Sequence, residues 1–291
     1  MTNRIGVLDP ANLTGEALLE QLASMGFASD SVVALDEDPD PATRVSYGST
    51  RLVVIDFTDF DFAGVDHVLI ADAGWRYSSV VQRAVEAGCS VAALEPMGED
   101  IPASVRSAVT VVPDSATLIA ERVINAGARI GSVTRADVVA LEPASARGQE
   151  ALQRLAQESA EVLNARSPKA ADGDAVRAFN ALAAGGVGRD VGGVFVAITR
   201  VEVPVFFGDG LVCHIGFEAP VAPAELERAL QDEDGVRGRQ PGAPSSVRDG
   251  IDAAAFEAQV VTEAPQAVQQ LWLTGDSLQL QAASLRGGLG V

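Results

Sequence analysis

The first 120 residues alternate short apolar runs with segments in which apolar positions recur every three or four residues. Apolar runs at 4–9 and 31–38 flank a segment of helical periodicity at 15–26, which predicts a β-α-β unit with buried, parallel strands. Further strands are predicted at 51–57, 65–74, 89–94 and 108–114, and a further helix at 77–88. This alternation predicts an α/β fold with an open, mostly parallel sheet of the Rossmann type.

The pattern changes after about residue 120. Residues 148–165 have a strongly amphipathic helical pattern, and residues 222–235 predict another helix. Between them, residues 192–220 have the pattern of two long apolar strands joined at Gly208-Asp209-Gly210, a turn sequence typical of hairpins. The second part of the chain therefore predicts an α+β domain with a mostly antiparallel sheet.

Composition places the chain among globular proteins, because 47% of its 291 residues are hydrophobic. Cys89 and Cys213 are two isolated thiols in apolar stretches, which fits a reducing compartment. The sequence shows neither a signal-peptide pattern at its start nor an apolar run of about 18 residues that could span a membrane. We therefore expect a cytoplasmic protein.

The chain is strongly acidic, with 40 acidic and 21 basic residues and a net charge of −19. Such a surface repels phosphate backbones, so the charge argues against nucleic-acid binding. A phosphorylated cofactor would need local positive charge that the composition alone does not indicate.

Seven segments carry a family resemblance: FDFAGVDHVLIADAG, AVEAGCSVAALEP, VPDSATL, SARGQEALQRLAQESAEVLNA, AFNALA, VEVPVFFGDGL and LWLTGDSLQLQAA. Their order and spacing resemble the aspartate-semialdehyde dehydrogenase family, in particular its divergent USG-1-like branch. The resemblance implies a degenerate nucleotide-binding domain at 1–120 and a dimerisation and former catalytic domain at 121–265. It also implies that residues 266–291 return to the first domain, and that the protein is a homodimer paired through the second domain's sheet.

The family interconverts an acyl phosphate and an aldehyde with NADP and phosphate. Its cysteine thiolate attacks the carbonyl, a histidine handles protons, a glutamine orients the acyl group and an arginine holds the substrate carboxylate. By resemblance, Ser115 stands at the cysteine position and Glu142 at the glutamine position. Glu202 stands at the arginine position and Asp209 at the histidine position. Serine has no thiolate form, and Glu202 would repel a carboxylate. We expect an acidic pocket with no cation and an inactive site.

The family's nucleotide turn has three glycines that let the backbone approach a pyrophosphate. Here Asp9 and Asn12 replace the first two glycines, and Gly15 alone remains. The acidic stretch at 35–40 stands where the family receives the 2′-phosphate of NADP, although Asp36 could suit the ribose of NAD. We expect no cofactor, with NADP or NAD as the cofactor if the protein is an enzyme.

The interval at 183–193 is also short compared with the family, which carries a substrate-binding helix there. Its glycine-rich sequence precedes a strand and not a helix, so we expect a shortened connection rather than a phosphate-binding loop.

Two other interpretations assign the site a new activity instead of a loss of activity. Ser115 could be a nucleophile in a hydrolase if His67 or His214 served as its base, but serine is also a favoured helix cap and we expect Ser115 to cap the following helix. The carboxylates of Glu142, Glu202 and Asp209 could instead bind Mg2+ or Ca2+, although we expect no metal.

The sequence therefore predicts a catalytically inactive paralogue that acts as a dimeric binding or scaffold protein. It would bind a second copy, an active paralogue or another protein, or a small ligand in the remodelled pocket. The main alternative is an NAD(P)-dependent oxidoreductase that acts on aspartate semialdehyde or aspartyl phosphate in amino-acid biosynthesis, and another is a metal-dependent or serine hydrolase.

Overall fold

The computed structural model describes residues 3–73, 77–96, 101–169, 175–238 and 246–289. They fall into two compact units, residues 1–114 with 281–291 and residues 115–280. The described elements of the first unit are β1 (Ile5–Leu8), α1 (Leu13–Ser24), β2 (Val32–Asp36), β3 (Arg44–Tyr47), β4 (Thr50–Asp56), β5 (His67–Ala73), α2 (Ser78–Glu86), β6 (Ser90–Leu94), α3 (Ala103–Arg106) and β7 (Val109–Val112).

The second unit begins with α4 at Ser115, and the last helix, α7, runs on from it into the first unit. Its described elements are α4 (Ser115–Ala128), β8 (Val133–Glu142), α5 (Gln149–Leu163), β9 (Leu182–Val191), β10 (Val194–Glu202), β11 (Asp209–Val221), α6 (Pro223–Gln231), β12 (Val236–Gly238), β13 (Phe256–Val260), β14 (Gln266–Gly275) and α7 (Ser277–Gly287).

The sheet of the first unit has the strand order β3-β4-β2-β1-β5-β6-β7 within the described residues. Every neighbouring pair is parallel except β3 with β4. All four residues of β1 are buried, as expected at the centre of a parallel sheet. The predicted Rossmann-type sheet is confirmed.

The connection between β4 and β5 is held by one arginine. Residues 57–66, all of them described, contain no helix, and Phe57 and Phe62 pack into the core that covers the sheet. Arg83 of α2 donates hydrogen bonds to the carbonyls of Phe57, Thr58 and Phe60 at 2.6–3.1 Å. The aromatic side chains of this connection thus take the covering role that a crossover helix usually has.

The sheet of the second unit has the order β12-β13-β14-β11-β8-β10-β9 in the described chain. It is mixed and mostly antiparallel, with β8/β10 and β12/β13 as its parallel pairs, so the predicted α+β class is confirmed. α4 packs on the face that carries Ala136, Val138 and Ile215.

Two local predictions about this sheet are wrong. Residues 192–220 do not form a hairpin at Gly208-Asp209-Gly210, because β8 lies between β10 and β11 and pairs with both. The interval at 183–193 is no bare connection either, since β9 covers most of it and pairs antiparallel with β10. Side-chain patterns did not show either feature, because strand order and pairing depend on distant segments of the chain.

Candidate functional site

The strand order brings three of the predicted site positions to one end of the second sheet. β8 and β10 run parallel and end opposite each other at Glu142 and Glu202. β11 starts on the other side of β8 at Asp209, and its next residue, Gly210, pairs with Leu141. The chain crosses β8 as it passes from β10 to β11, and this crossing brings the three carboxylates together.

Both glutamates are paired with arginines, so the expectation of an acidic pocket without a cation is wrong. Arg200 Nη1 lies 2.6 Å from Glu142 Oε1, and Arg147 Nη2 lies 3.7 Å from Glu142 Oε2. Arg147 Nε lies 2.8 Å from Glu202 Oε1, and Arg177 Nε lies 3.0 Å from Glu202 Oε2. Residue patterns contain no signal for this network, because its three arginines come from separate segments.

The network leaves little open space. A cavity of about 10 Å³ lies among its charged groups, which is about the room that one water molecule needs. The remaining lining is largely apolar: Pro143, Ala144, Ala151, Leu155, Leu182 and Val203, with Asn180 as a polar member. These side chains leave no room for a substrate the size of an amino-acid semialdehyde between the two glutamates.

Asp209, at the family's histidine position, is buried and only 5% exposed. Its Oδ2 accepts a hydrogen bond of 2.8 Å from the amide of Ser277, the first residue of α7. Burial raises the pKa of Asp209 to about 7; the carboxylates of Asp276 and Glu142 add to the rise, and the bonds from Ser277 oppose it. Asp209 is thus a proton-holding group near neutral pH that is closed off from solvent.

Ser115 is the first residue of α4, so Asp114 stands at the position before the helix. The expectation that Ser115 caps this helix is therefore wrong, because the cap precedes the first helical residue. The two histidines considered as a base for Ser115 lie on other elements. His67 starts β5 at the amino end of the parallel sheet, and His214 lies within β11 opposite Asp137.

No alternative thiolate takes the place of the missing cysteine among the described residues. Cys89 and Cys213 are both buried and free. Burial raises the pKa of the Cys213 thiol to about 12 and also raises that of Cys89, with the nearby carboxylates of Asp137 and Asp66 as secondary causes. Both sulfurs are therefore protonated at neutral pH and are not nucleophiles.

The turn between β1 and α1 keeps the shape of a nucleotide turn with different side chains. Asp9 has a φ of 55°, in the left-handed region where glycine is usual. A Cβ on Gly15 would overlap the carbonyl oxygen of Asp9, so glycine is required there. Gly15 therefore allows the close packing of α1 against the turn, which is the role of the third glycine in such a motif.

The turn nevertheless does not fit a pyrophosphate. Asn12 caps α1, and its Oδ1 accepts the amide hydrogen of Gly15 at 2.6 Å. The Asn12 side-chain amide donates to Asp9 Oδ2 and to the carbonyl of Ala71, each at 2.9 Å. One amide of the helix N-terminus is therefore already bonded within the chain, and the Asp9 carboxylate contacts the side chain that bonds it.

The second half of the nucleotide site is also acidic. Asp36 ends β2 directly opposite Asp56 of β4, and its Oδ1 accepts from the amide of Glu37. Hydrogen bonds from Thr58 lower the pKa of Asp56, so this exposed group is a carboxylate near neutral pH. Two neighbouring carboxylates disfavour the 2′-phosphate of NADP at this position.

Two negative findings apply to the part of the chain that the structure describes. It contains no group of three or more His, Cys, Asp or Glu residues placed to hold a metal ion. The arginine pairing of Glu142 and Glu202 accounts for their proximity without a metal. Within the same residues, no helix has both the length and the apolar character that a membrane span requires.

Comparisons with known proteins support the resemblance along nearly the whole chain. A USG-1 protein homolog from Pseudomonas aeruginosa is 26% identical, over 96% of this chain and 94% of that protein. An aspartate-semialdehyde dehydrogenase from Legionella pneumophila is 22% identical, over 80% of this chain and 77% of its own length. No protein-family model matches the chain.

The fold is shared with solved structures of the same kind. The structure of aspartate-semialdehyde dehydrogenase II from Vibrio cholerae, complexed with ASA, superposes with a TM-score of 0.83 at 18% identity and covers 99% of this chain and 98% of its own. A probable aspartate-semialdehyde dehydrogenase from Pseudomonas aeruginosa gives a TM-score of 0.84 at 23% identity, with the same coverage.

Proposed function

We propose that this chain, a divergent relative of the USG-1 homologues in the aspartate-semialdehyde dehydrogenase family, is a non-catalytic protein that acts by binding. One observation carries the proposal. The positions at which the family orients its acyl group and holds its substrate carboxylate are Glu142 and Glu202, and arginines of the same unit neutralise both around a cavity of about 10 Å³. A site filled by its own ion pairs has neither the space nor the free cation for an acyl phosphate.

The nucleotide turn supports the same conclusion. Asn12 bonds the Gly15 amide and is itself bonded to the Asp9 carboxylate, so the turn has one amide fewer for the pyrophosphate of NADP or NAD and a negative charge nearby. Loss of the thiolate removes the nucleophile as well, and each such loss typically costs about 10²–10⁴-fold in rate.

A second candidate is an NAD(P)-dependent oxidoreductase acting on aspartate semialdehyde or aspartyl phosphate. The proton affinity of Asp209 favours it, because a group with a pKa of about 7 at the family's histidine position could take part in proton transfer. The burial of Asp209 and the absence of a thiolate make this the weaker proposal.

Calorimetric titration separates the two candidates. We expect no heat of binding with NADP, NADPH, NAD or NADH at millimolar concentration in phosphate buffer, and no turnover of aspartate semialdehyde. An active aspartate-semialdehyde dehydrogenase in the same buffer is the positive control. Micromolar binding of any nucleotide, followed by turnover, would establish the oxidoreductase instead.

The partner that we propose is a second copy of the chain, seated on the face of the second sheet opposite α4. Apolar side chains remain exposed on this face: Phe195 is 58% exposed and Val268 47%. Val268 and Phe195 lie in one row across the strands with Gly216 and Arg135, and half-buried Trp272, Val212 and Val139 form a second row four residues along. Apolar side chains exposed on a sheet face are stabilised when a partner covers them.

Sedimentation or light scattering tests the dimer. We expect the wild-type protein to have the mass of a dimer and Val268→Asp to dissociate it at micromolar concentration, because a buried, unpaired carboxylate opposes association. Val53→Asp is the matched control, since Val53 is 49% exposed on β4 of the other unit. A monomeric wild type, or equal dissociation by both variants, would contradict this interface.

A further inference from the structure

The Glu202 carboxylate is held in the way a protein holds a bound carboxylate ligand. Arg147 Nε contacts one oxygen at 2.8 Å, and Arg177 Nε contacts the other at 3.0 Å. Two guanidinium groups thus grip both oxygens of a single carboxylate, the charge-assisted geometry that proteins use for carboxylate recognition.

The backbone of Arg147 is anchored without the Glu202 side chain. It ends a short 3-10 turn, Ala144–Arg147, that follows β8. The amides of Ala144 and Ser145 in this turn donate to the carbonyls of Val205 and Phe206, at 2.8 and 3.1 Å. The backbone that carries Arg147 is therefore anchored by bonds that do not involve the Glu202 side chain.

Arg177 is positioned by a different group. Its own amide and that of Ala178 donate to Glu158 Oε2, at 2.6 and 3.1 Å, and Glu158 lies on α5. The two arginines therefore converge on Glu202 from separately anchored segments, whose backbone contacts do not involve the Glu202 side chain.

The lining of the cavity also suits a carboxylate. Three guanidinium groups, of Arg147, Arg177 and Arg200, face the carboxylates of Glu142 and Glu202. The walls beyond the charges are aliphatic, which suits a carboxylate on a short carbon chain.

We propose that Arg147 and Arg177 form a carboxylate-binding clamp that the chain's own Glu202 occupies. Its ligand class is the short aliphatic carboxylate, and Glu202 is an internal occupant that keeps such ligands out. A tethered carboxylate has an effective concentration well above that of free metabolites, so it excludes them. The inference rests on the proposed function in one respect only: both regard the site around Glu202 as a binding site and not a catalytic one.

Acetate rescue of Glu202→Ala tests the clamp, because acetate replaces the atoms that this substitution removes. We expect Tm to fall by about 5 °C in the variant and about half of the loss to return in 100 mM sodium acetate, as for a Kd of about 10 mM. Sodium chloride at equal ionic strength should restore nothing. Wild-type Tm should not change with acetate, since its clamp is filled.

Glu233→Ala is the matched control. Glu233 is 13% exposed at its side chain, against 14% for Glu202, and it pairs with the single guanidinium of Arg129 at 2.6 Å. We expect it to lose stability without acetate rescue. Glu202→Gln should also lose stability without rescue, because the amide fills the clamp. If Glu202→Ala does not fold on expression, its refolding yield with and without acetate gives the same readout.

Equal responses of Glu202→Ala to acetate and chloride, or equal rescue of Glu233→Ala, would overturn the clamp. Because the readout is thermal stability, this outcome is independent of nucleotide binding and turnover. The clamp proposal can therefore be contradicted while the non-catalytic proposal stands, and the non-catalytic proposal can be contradicted while the clamp proposal stands.

Discussion

Asp209→Asn is expected to make the protein more stable at pH 8 than the wild type and equally stable near pH 4. Burial of this carboxyl raises its pKa from 3.8 to about 7. A change of this size corresponds to on the order of 4 kcal/mol between the two protonation states. Asparagine keeps an oxygen that can accept the Ser277 amide hydrogen, and it carries no charge at any pH.

The sign follows from proton binding in the two states. Between pH 4 and pH 7 the folded wild type holds a proton on Asp209 that the unfolded chain has lost, so wild-type stability falls as pH rises through this range. Above pH 7 both states are ionised and the difference is constant. The stability gain of the variant should therefore grow from pH 4 to pH 7 and then level off.

Urea unfolding at half-unit pH intervals measures this difference. Asp59→Asn, at an exposed position, is the control and should track the wild type. The pKa of Asp276 is also raised, mainly by burial, so Asp209→Asn should keep part of the wild-type slope. A variant whose difference from wild type does not depend on pH would show that Asp209 is ionised in the folded protein throughout this range.

Glu158→Ala is expected to destabilise the second unit by about 3–5 kcal/mol, the usual cost of breaking a buried charged pair. Glu158 is only 4% exposed and accepts from Arg154 Nε at 2.9 Å and from the amides of Arg177 and Ala178. Burial tends to raise the pKa of Glu158, but these hydrogen bonds outweigh it and keep the pKa below its usual value. Substitution by alanine would remove the carboxylate that accepts from all three of these donors.

Chemical denaturation compares this variant with two others on the same helix. Glu158→Gln keeps one acceptor oxygen and should lose about half as much. Gln153→Ala, at an exposed position of α5, should change the free energy of unfolding by less than about 0.5 kcal/mol. A loss below 1 kcal/mol for Glu158→Ala would mean that the segment after residue 175 is held by other contacts.

The sequence by itself determined the class of each unit. Buried parallel strands need continuous apolar runs, so β1, β2, β5 and β6 are visible in the order of residues. The family positions could also be found by spacing, since Glu202 and Asp209 lie seven residues apart as their family counterparts do. The chemistry lost at Ser115 follows from residue type alone, because no fold gives a serine the acidity of a thiol.

Only the tertiary structure decided what occupies the two sites. Insertion of β8 between β10 and β11 is a pairing of distant segments, and local periodicity contains no information about it. The same is true of Arg147 and Arg177, which meet Glu202 from different elements and turn an expected acidic pocket into a neutralised one. Asn12 is the third case: the bond from its side-chain amide to the carbonyl of Ala71 joins it to β5, 59 residues away. Charge and hydrogen-bond partners are set by distance in space, and the sequence alone does not give that distance.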